Sequence, residues 1–374
     1  MGTPRRMLTV VGARPQIIKA AAISRAVQGR YADRIKETIL HSGQHYDANM
    51  SRIFFEELGI PAPERNLRIA ADSPSRTARM LEGIEQVIDA ERPDLVLVYG
   101  DTDTTLATAL AASKAGIPLA HVEAGLRSFD RTMPEEVNRI VCDHCSSWLF
   151  CPTDTAVQNL RREGFDPAAE LPKVVLAGDV MFDNSLYFAA LAERSTILKE
   201  SGLQPDRFAL ATVHRAHNTD DPERLSAILG ALLELHRSTG LTLAIPLHPR
   251  TRQRIERSVD EVLRREFEST KGIVLMPPVG YLDMIALQRS ARLILTDSGG
   301  LQKEAFFFGK PCLVLRAGTE WTELVDHGYA RLVDHDRDRM IAGAEYFLTH
   351  DMPPAKDLFG NGDAAGAICQ ALSS

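Results

Sequence analysis

Short apolar runs alternate with stretches of helical periodicity along almost the whole chain, and that alternation leaves few folds open. Strands separated by helices pair in parallel, with the helices covering the sheet, so the pattern predicts an α/β protein. In the first half the predicted strands are Met7 to Val11, Ile35 to Leu40, Leu95 to Tyr99, Leu119 to Val122, Leu149 to Cys151 and Val174 to Leu176. These suffice for one full sheet. A mostly helical segment, Met181 to Gln204, follows Asp179, and strands resume at Phe208 to Val213. A second sheet begins there, with Leu243 to Pro246, Ile273 to Leu275, Leu293 to Thr296, Leu313 to Leu315 and Ala330 to Val333 as its other strands. Two sheets of similar size predict two Rossmann-like domains and a cleft between them. Ligands of open α/β sheets bind beyond the carboxyl ends of the strands, so the residues just after each strand are the ones to inspect.

The most informative of these strand ends is Thr296-Asp297-Ser298-Gly299-Gly300-Leu301-Gln302-Lys303-Glu304, which reads as strand, glycine turn and helix start. Glycines there let backbone N–H groups approach an anion, and the helix N-terminus adds partial positive charge, so phosphate suits the turn. Glu304, one turn later, suits sugar hydroxyls, and the combination suggests a nucleoside diphosphate. A tight turn with a surface glutamate would leave the same sequence. After the first strand, Gly12-Ala13-Arg14-Pro15-Gln16-Ile17-Ile18-Lys19 brings Arg14 and Lys19 to a helix start. This resembles an anion site but lacks the ending of a Walker loop; a solvated basic helix start is the alternative.

Carboxylates gather at the other strand ends. Asp101 follows Gly100, where it could equally belong to a helix start, and Glu123 directly follows a run that should be buried. A desolvated carboxylate there acquires the raised pKa that general acid or base work requires. Met133-Pro134-Glu135-Glu136-Val137-Asn138-Arg139 starts another helix and adds a third carboxylate, though helix capping alone explains acids in a first turn. In the second half, His214 and Arg215 sit just past a strand, a proton donor or phosphate contact beside a charge clamp. Acids from one domain and a His-Arg pair with a phosphate cradle from the other suit chemistry on a nucleotide-linked sugar.

Composition removes other classes. A net charge of -7 argues against a nucleic-acid partner. No apolar run reaches the length of a membrane span and no signal-peptide core follows Met1, so no membrane role and a cytoplasmic location are expected. Five cysteines do not form a disulfide framework. Cys142, His144, Cys145 and Cys151 do not form a zinc site either, because Val137, Val141, Cys145 and Trp148 follow helical spacing and place Cys145 in a core. His41 and His45 follow a strand and line the expected cleft.

In their order, the motifs Val11-Gly12-Ala13-Arg14-Pro15, Ser42-Gly43-Gln44-His45, Gly100-Asp101-Thr102, His121-Val122-Glu123-Ala124-Gly125-Leu126-Arg127, Pro134-Glu135-Glu136-Val137-Asn138-Arg139, His214-Arg215 and Asp297-Ser298-Gly299-Gly300 resemble the non-hydrolysing UDP-N-acetylglucosamine 2-epimerases almost end to end. The resemblance implies two Rossmann-like domains in a glycosyltransferase-B arrangement, the active site in the interdomain cleft. The expected division is 1–178 plus 355–374 for the N-terminal domain, which carries the carboxylates, and 179–354 for the UDP-binding domain. The closing segment Phe359-Gly360-Asn361-Gly362-Asp363 and its helix would cross back to the first domain.

The implied reaction eliminates UDP across C1 and C2 to a 2-acetamidoglucal, then adds it back after protonation on the other face. This would serve surface polysaccharide precursor synthesis. Asp101, Glu123 and Glu135 are then the candidate acid/base carboxylates, and His214 assists at the diphosphate. Ser298, Gly299 and Gly300 would hold phosphate, Glu304 the ribose, and Arg14, Lys19, His45, Arg139 and Arg215 further substrate groups. No cofactor is expected, since no hydride moves, and a homodimer is implied by the resemblance alone. The chain departs from the family's common pattern at His214-Arg215-Ala216-His217-Asn218, where His-Arg-Arg-Glu-Asn is frequent, and in the segment before Pro134, which is two residues shorter. Thr319-Glu320-Trp321-Thr322 stands for Thr-Glu-Arg-Pro, and Val279 and Met284 stand for a Gln and a Phe. These positions line the expected substrate pocket, so they bear on the sugar: UDP-N-acetylglucosamine first, UDP-2,3-diacetamido-2,3-dideoxyglucuronate as the alternative. A hydrolysing relative, a glycosyltransferase and a catalytically silent nucleotide-sugar binder are the competing readings.

Overall fold

The computed structural model describes residues 3–43, 59–69, 75–354 and 356–373. The chain divides into two compact units, one running to Asn184 and resuming at Asp357, the other spanning Ser185–Lys356.

The first unit holds a seven-stranded parallel sheet in the order β3-β2-β1-β4-β5-β6-β7. Its strands are β1 Arg5–Val11, β2 Ile35–His41, β3 Arg65–Asn66, β4 Leu95–Tyr99, β5 Leu119–Val122, β6 Trp148–Cys151 and β7 Lys173–Leu176. The β4 sequence Leu-Val-Leu-Val-Tyr is wholly buried, as expected of a central parallel strand covered on both faces. β1 pairs with β2 on one side (Val11 opposite His41) and with β4 on the other (Met7 opposite Leu95). The strand order reverses there, and the turns after β1 and β4 flank the switch point where open α/β sheets bind ligands. Among the described residues, the one strand absent from the sequence reading is β3, a two-residue polar edge piece pairing Leu40 with Arg65. It carries no apolar run, so nothing in its composition marks it.

The closing helix Ala364–Leu372 belongs to this first unit and buries Ile368, Cys369 and Leu372. Tyr31 Oη donates to the Gly366 carbonyl at 3.0 Å, and Arg5 Nη1 to that of Leu372 at 2.9 Å.

The second unit repeats the plan with six parallel strands in the order β10-β9-β8-β11-β12-β13. They are β8 Phe208–Thr212, β9 Thr242–Pro246, β10 Ile273–Met276, β11 Leu293–Thr296, β12 Cys312–Val314 and β13 Ala330–Leu332. Here β8 lies between β9 and β11, so the switch point falls where Val213-His214-Arg215 and Asp297-Ser298 leave the sheet. Its core combines Ala209 and Ala211 of β8 with the apolar face of the helix Pro222–Thr239, including Leu225, Ile228, Leu232 and Leu235. Among the described residues no helix is long and apolar enough to cross a membrane.

Candidate functional site

Strand ends of the first unit collect the acids. Gly100 turns the chain with φ +62°, and a Cβ there would lie 3.1 Å from Lys19 Nζ and 3.4 Å from Glu123 Oε1. Lys19, from the helix Arg14–Arg30, forms a 2.6 Å ion pair with Glu123, both side chains being nearly buried. Glu123 itself stands at φ +75°, a left-handed conformation that costs a non-glycine residue about 1 kcal/mol or more. The left-handed backbone fixes the direction in which the Glu123 side chain leaves the turn.

Asp101, next to that turn, pairs with Arg139 of the helix Pro134–Cys145. Nη2 lies 2.7 Å and Nε 3.0 Å from Oδ2, while Asn138 Nδ2 donates to the Asp101 carbonyl at 2.9 Å. Burial pushes the Asp101 carboxyl above its ordinary range; Glu123 adds to the rise, and Arg139 and Lys19 pull against it. A carboxyl so placed can exchange a proton nearer neutrality than a surface aspartate.

Glu135 and Glu136 divide differently from the sequence reading. Glu135, the expected third carboxylate, is exposed in the first turn of its helix, and Glu136 is the buried one. Glu136 accepts the N–H groups of Ser128 and Phe129, both at 2.9 Å, and Arg139 Nη1 at 2.6 Å. Burial works against its ionisation, yet those donors hold its carboxyl below the ordinary range. The buried face of this helix is Glu136, Asn138, Arg139, Cys142 and Asp143, whereas Val137 is exposed and Cys145 only half-buried. Of the expected stripe, Val137 is thus outside the core, whereas Cys145 packs against the core cluster that includes Cys142, and paired charges share the inner face.

A further connector went unassigned in the sequence. Gln16 Oε1 accepts Gly12 N and Ala13 N, and its Nε2 donates to the Tyr99 carbonyl and to Thr105 Oγ1. It ties the turn after β1 to the turn after β4. A glutamine just inside a helix start, two residues past Arg14, was the available signal. Arg14 is exposed at this helix start, and His45 lies outside the described residues.

In the second unit Asp297 is fully buried and organises the turn after β8. Its carboxylate accepts His214 N, Arg215 N and Asn218 Nδ2 at 3.0 to 3.2 Å and faces His214 Nδ1 at 2.9 Å. Burial alone would raise this carboxyl, but the His214 side chain and the backbone donors bring it below its ordinary range. An ionised carboxylate on Nδ1 fixes the ring so that Nε2 is the atom left to act, and His214 is half exposed. Asp297 stood in the sequence motif without a role.

Ser298 caps the helix Gly299–Phe307, its Oγ accepting Leu301 N. A Cβ on Gly299 would lie 3.5 Å from Trp321 Nε1, 3.7 Å from Glu320 Oε2 and 3.9 Å from Arg215 Nη2. The structure thus brings Arg215, Gly299 and Trp321 together, and Gly300 is exposed beside them. Glu320 is held by Arg316 at 2.8 and 3.1 Å. Lys303 Nζ sits 4.1 Å from the centre of the Trp321 ring, so a positive charge lies over the indole face. Glu304 is buried, and Gln288 Nε2 donates to its Oε2 at 2.7 Å. Val279 follows β10 and Met284 lies in the helix Tyr281–Ser290, both half-buried.

Two Rossmann-like units, one with paired acids at its switch point and the other with a glycine-serine cradle at its own, define a class of two-domain nucleotide-dependent α/β enzymes. A family profile described as UDP-N-acetylglucosamine 2-epimerase matches residues 28–373. Over 369 residues the chain is 49% identical to the UDP-2,3-diacetamido-2,3-dideoxy-D-glucuronate 2-epimerase of Pseudomonas aeruginosa, covering 98% of this chain and 99% of that protein. Over 372 residues it is 41% identical to the UDP-N-acetylglucosamine 2-epimerase of Methanocaldococcus jannaschii, with 98% and 99% covered. The crystal structure of the M. jannaschii enzyme in complex with UDP-GlcNAc and UDP matches with a TM-score of 0.87 at 41% identity, covering 98% of this chain and 99% of that one. The chain belongs to the UDP-N-acetylglucosamine 2-epimerase family, and with it to the isomerases. The resemblance carried by the motifs therefore holds, as does the two-domain α/β fold it implied.

Proposed function

We propose that this protein inverts C2 of a UDP-linked 2-acetamido sugar by eliminating UDP to a 2-acetamidoglucal and adding it back after protonation on the opposite face. The observation that carries the reading is the pair of adjacent strand-end carboxylates: Asp101 with its raised pKa and Arg139, beside Glu123 with Lys19. A C2 proton is weakly acidic, so a base shielded from water and a stabilised leaving group must share the work.

Asp101, Glu123 and Glu135 take the acid and base roles. His214, oriented by Asp297, assists the departing diphosphate. Ser298, Gly299, Gly300 and Arg215 hold phosphate, and Glu304, with Gln288 on one of its oxygens, holds the ribose. Arg14, Lys19 and Trp321 complete the substrate contacts. No nicotinamide enters, because the carbon loses and regains a proton and no hydride is transferred. A homodimer and a role in polysaccharide precursor synthesis belong to the same proposal; sedimentation showing a monomer at micromolar concentration removes the first.

The 49% identity with the P. aeruginosa relative supports UDP-2,3-diacetamido-2,3-dideoxy-D-glucuronate as substrate. UDP-N-acetylglucosamine is the second reading, supported by the family profile and the M. jannaschii relative. Proton NMR of each compound with the protein in heavy water tests both. Loss of the C2 proton signal with a new anomeric signal identifies the substrate. Free sugar with UDP makes the protein a hydrolysing epimerase, and silence with both compounds overturns the proposal.

A further inference from the structure

We propose that His121 is a positioning residue, a buried imidazolium that locks together the two turns bearing Asp101 and Glu123. The inference deepens the epimerase reading and rests on it for the roles of those carboxylates. His121 is the third residue of β5 and is fully buried. Its Nε2 lies 2.8 Å from the Gly100 carbonyl oxygen, and its Nδ1 lies 2.7 Å from Asp143 Oδ1.

A carbonyl oxygen only accepts, so Nε2 carries a proton. Asp143 Oδ2 accepts Gly125 N at 3.1 Å and faces Arg127 Nη1 at 2.8 Å, an environment that keeps the carboxylate ionised. An ionised carboxylate also only accepts, so Nδ1 carries a proton too. Charges then alternate from the interior to the surface: His121 positive, Asp143 negative, Arg127 positive, and the exposed Glu163 negative at 2.6 and 2.7 Å from Arg127 Nε and Nη2. Buried charges are tolerated when paired in this way.

The groups facing the ring are the Gly100 carbonyl, Asp143 and Cys142, the last two from the helix Pro134–Cys145. Burial by itself would lower the His121 pKa; Cys142 and Asp143 outweigh it and raise it well above the ordinary histidine range. Asp143 is held below its ordinary range, because His121 and Arg127 overcome its burial.

The geometric consequence concerns both acids. Gly100 precedes Asp101, and its carbonyl is fixed by Nε2. Gly125 follows Glu123 by two residues, and its N–H is fixed by Asp143. The helix that supplies Asp143 also supplies Arg139, the partner of Asp101. One helix therefore sets the position of both carboxylates, with His121 as the link between their turns. Turns held in this way place a proton-transfer group to a fraction of an ångström, and misplacement by about 1 Å costs about 10²-fold in rate.

Nitrogen-15 NMR of histidine-labelled wild-type protein tests the charge state with no substrate present. Both ring nitrogens of His121 should keep protonated shifts from pH 6 to pH 9; a ring that is neutral, or titrates in that range, overturns the proposal. For positioning, His121→Gln keeps one donor and should lower kcat by about 10²-fold while KM and UDP affinity stay within about twofold. Asp143→Asn should reproduce the loss. An unchanged kcat in either variant, with circular dichroism intact, overturns the positioning role. Because the nitrogen shifts need no reaction, failure of the epimerase reading would be seen separately, in the wild-type turnover assay.

Discussion

Arg139 and Asp297 show how single side chains set the chemistry of their neighbours. Arg139 is among the groups that pull the Asp101 pKa down against its burial. Removing its charge in Arg139→Gln leaves burial and Glu123 less opposed, so the Asp101 carboxyl rises further. With Asp101 acting as an ionised base, the acid limb of the kcat/KM profile should move to higher pH; a limb that stays in place excludes that role. Asp297→Asn removes the carboxylate that orients His214 and leaves the His214 and Arg215 N–H groups with a poorer acceptor. The expected result is a kcat loss of about 10²-fold. A urea unfolding midpoint that falls by the equivalent of about 1 to 3 kcal/mol should accompany it. Wild-type kcat in this variant would remove His214 from the mechanism. At this scale the sequence named Asp101, Glu123, Arg139 and His214, because each follows a strand or opens a helix. It gave no role to Glu136, Gln16, Asp297 or His121, each of which has partners outside its own element.

Elements decide which glycines are structural and which serve a ligand. The turn after β5 holds Glu123 at φ +75° and Gly125 at φ +78°, and a Cβ on Gly125 would come 2.4 Å from the Ala156 carbonyl oxygen. Neither the backbone angle nor the neighbouring helix can yield cheaply, so Gly125→Ala should destabilise the first unit by about 3 kcal/mol in urea unfolding. Gly299 has ordinary surroundings, with nothing nearer its missing Cβ than the Trp321 nitrogen at 3.5 Å. Gly299→Ala should therefore change stability by less than about 0.5 kcal/mol while weakening UDP binding measured by calorimetry. Equal stability losses at the two positions would contradict this division. Strands and glycine turns were legible because buried runs and turn residues are local properties. The phase of the helix Pro134–Cys145 was not, because an apolar stripe predicts the inner face only where charges have no partners there.

On the scale of the whole molecule, the chain leaves the first unit through the helix Val180–Ala192 and re-enters it at Asp357. Asp183 in that helix accepts the N–H groups of Ala364 and Ala365 at 3.0 and 2.8 Å, fastening the start of the closing helix. Burial, stronger than these two donors, lifts its pKa to about 6. An unfolded aspartate titrates near 3.9. Between those values the folded state holds a proton that the unfolded state has lost. Stability from this group therefore falls as pH rises from about 4 to about 6, and stays at the lower level above. The difference in unfolding free energy between wild type and Asp183→Asn should slope in that direction and flatten above pH 6; a pH-independent difference refutes the assignment.

Sequence alone determined the alternation of strand and helix, the two parallel sheets, the residues at each strand end and the family to which the motifs belong. All of these depend on neighbours within one element, where spacing and composition act directly. Tertiary structure decided which strand ends meet: Lys19 with Glu123, Asp101 with Arg139, His121 with Gly100 and Asp143, and Asp297 with His214. Those pairings depend on strand order and helix phase, which bring together groups far apart in the chain. Their charges are stable in the interior only because the partners arrive together.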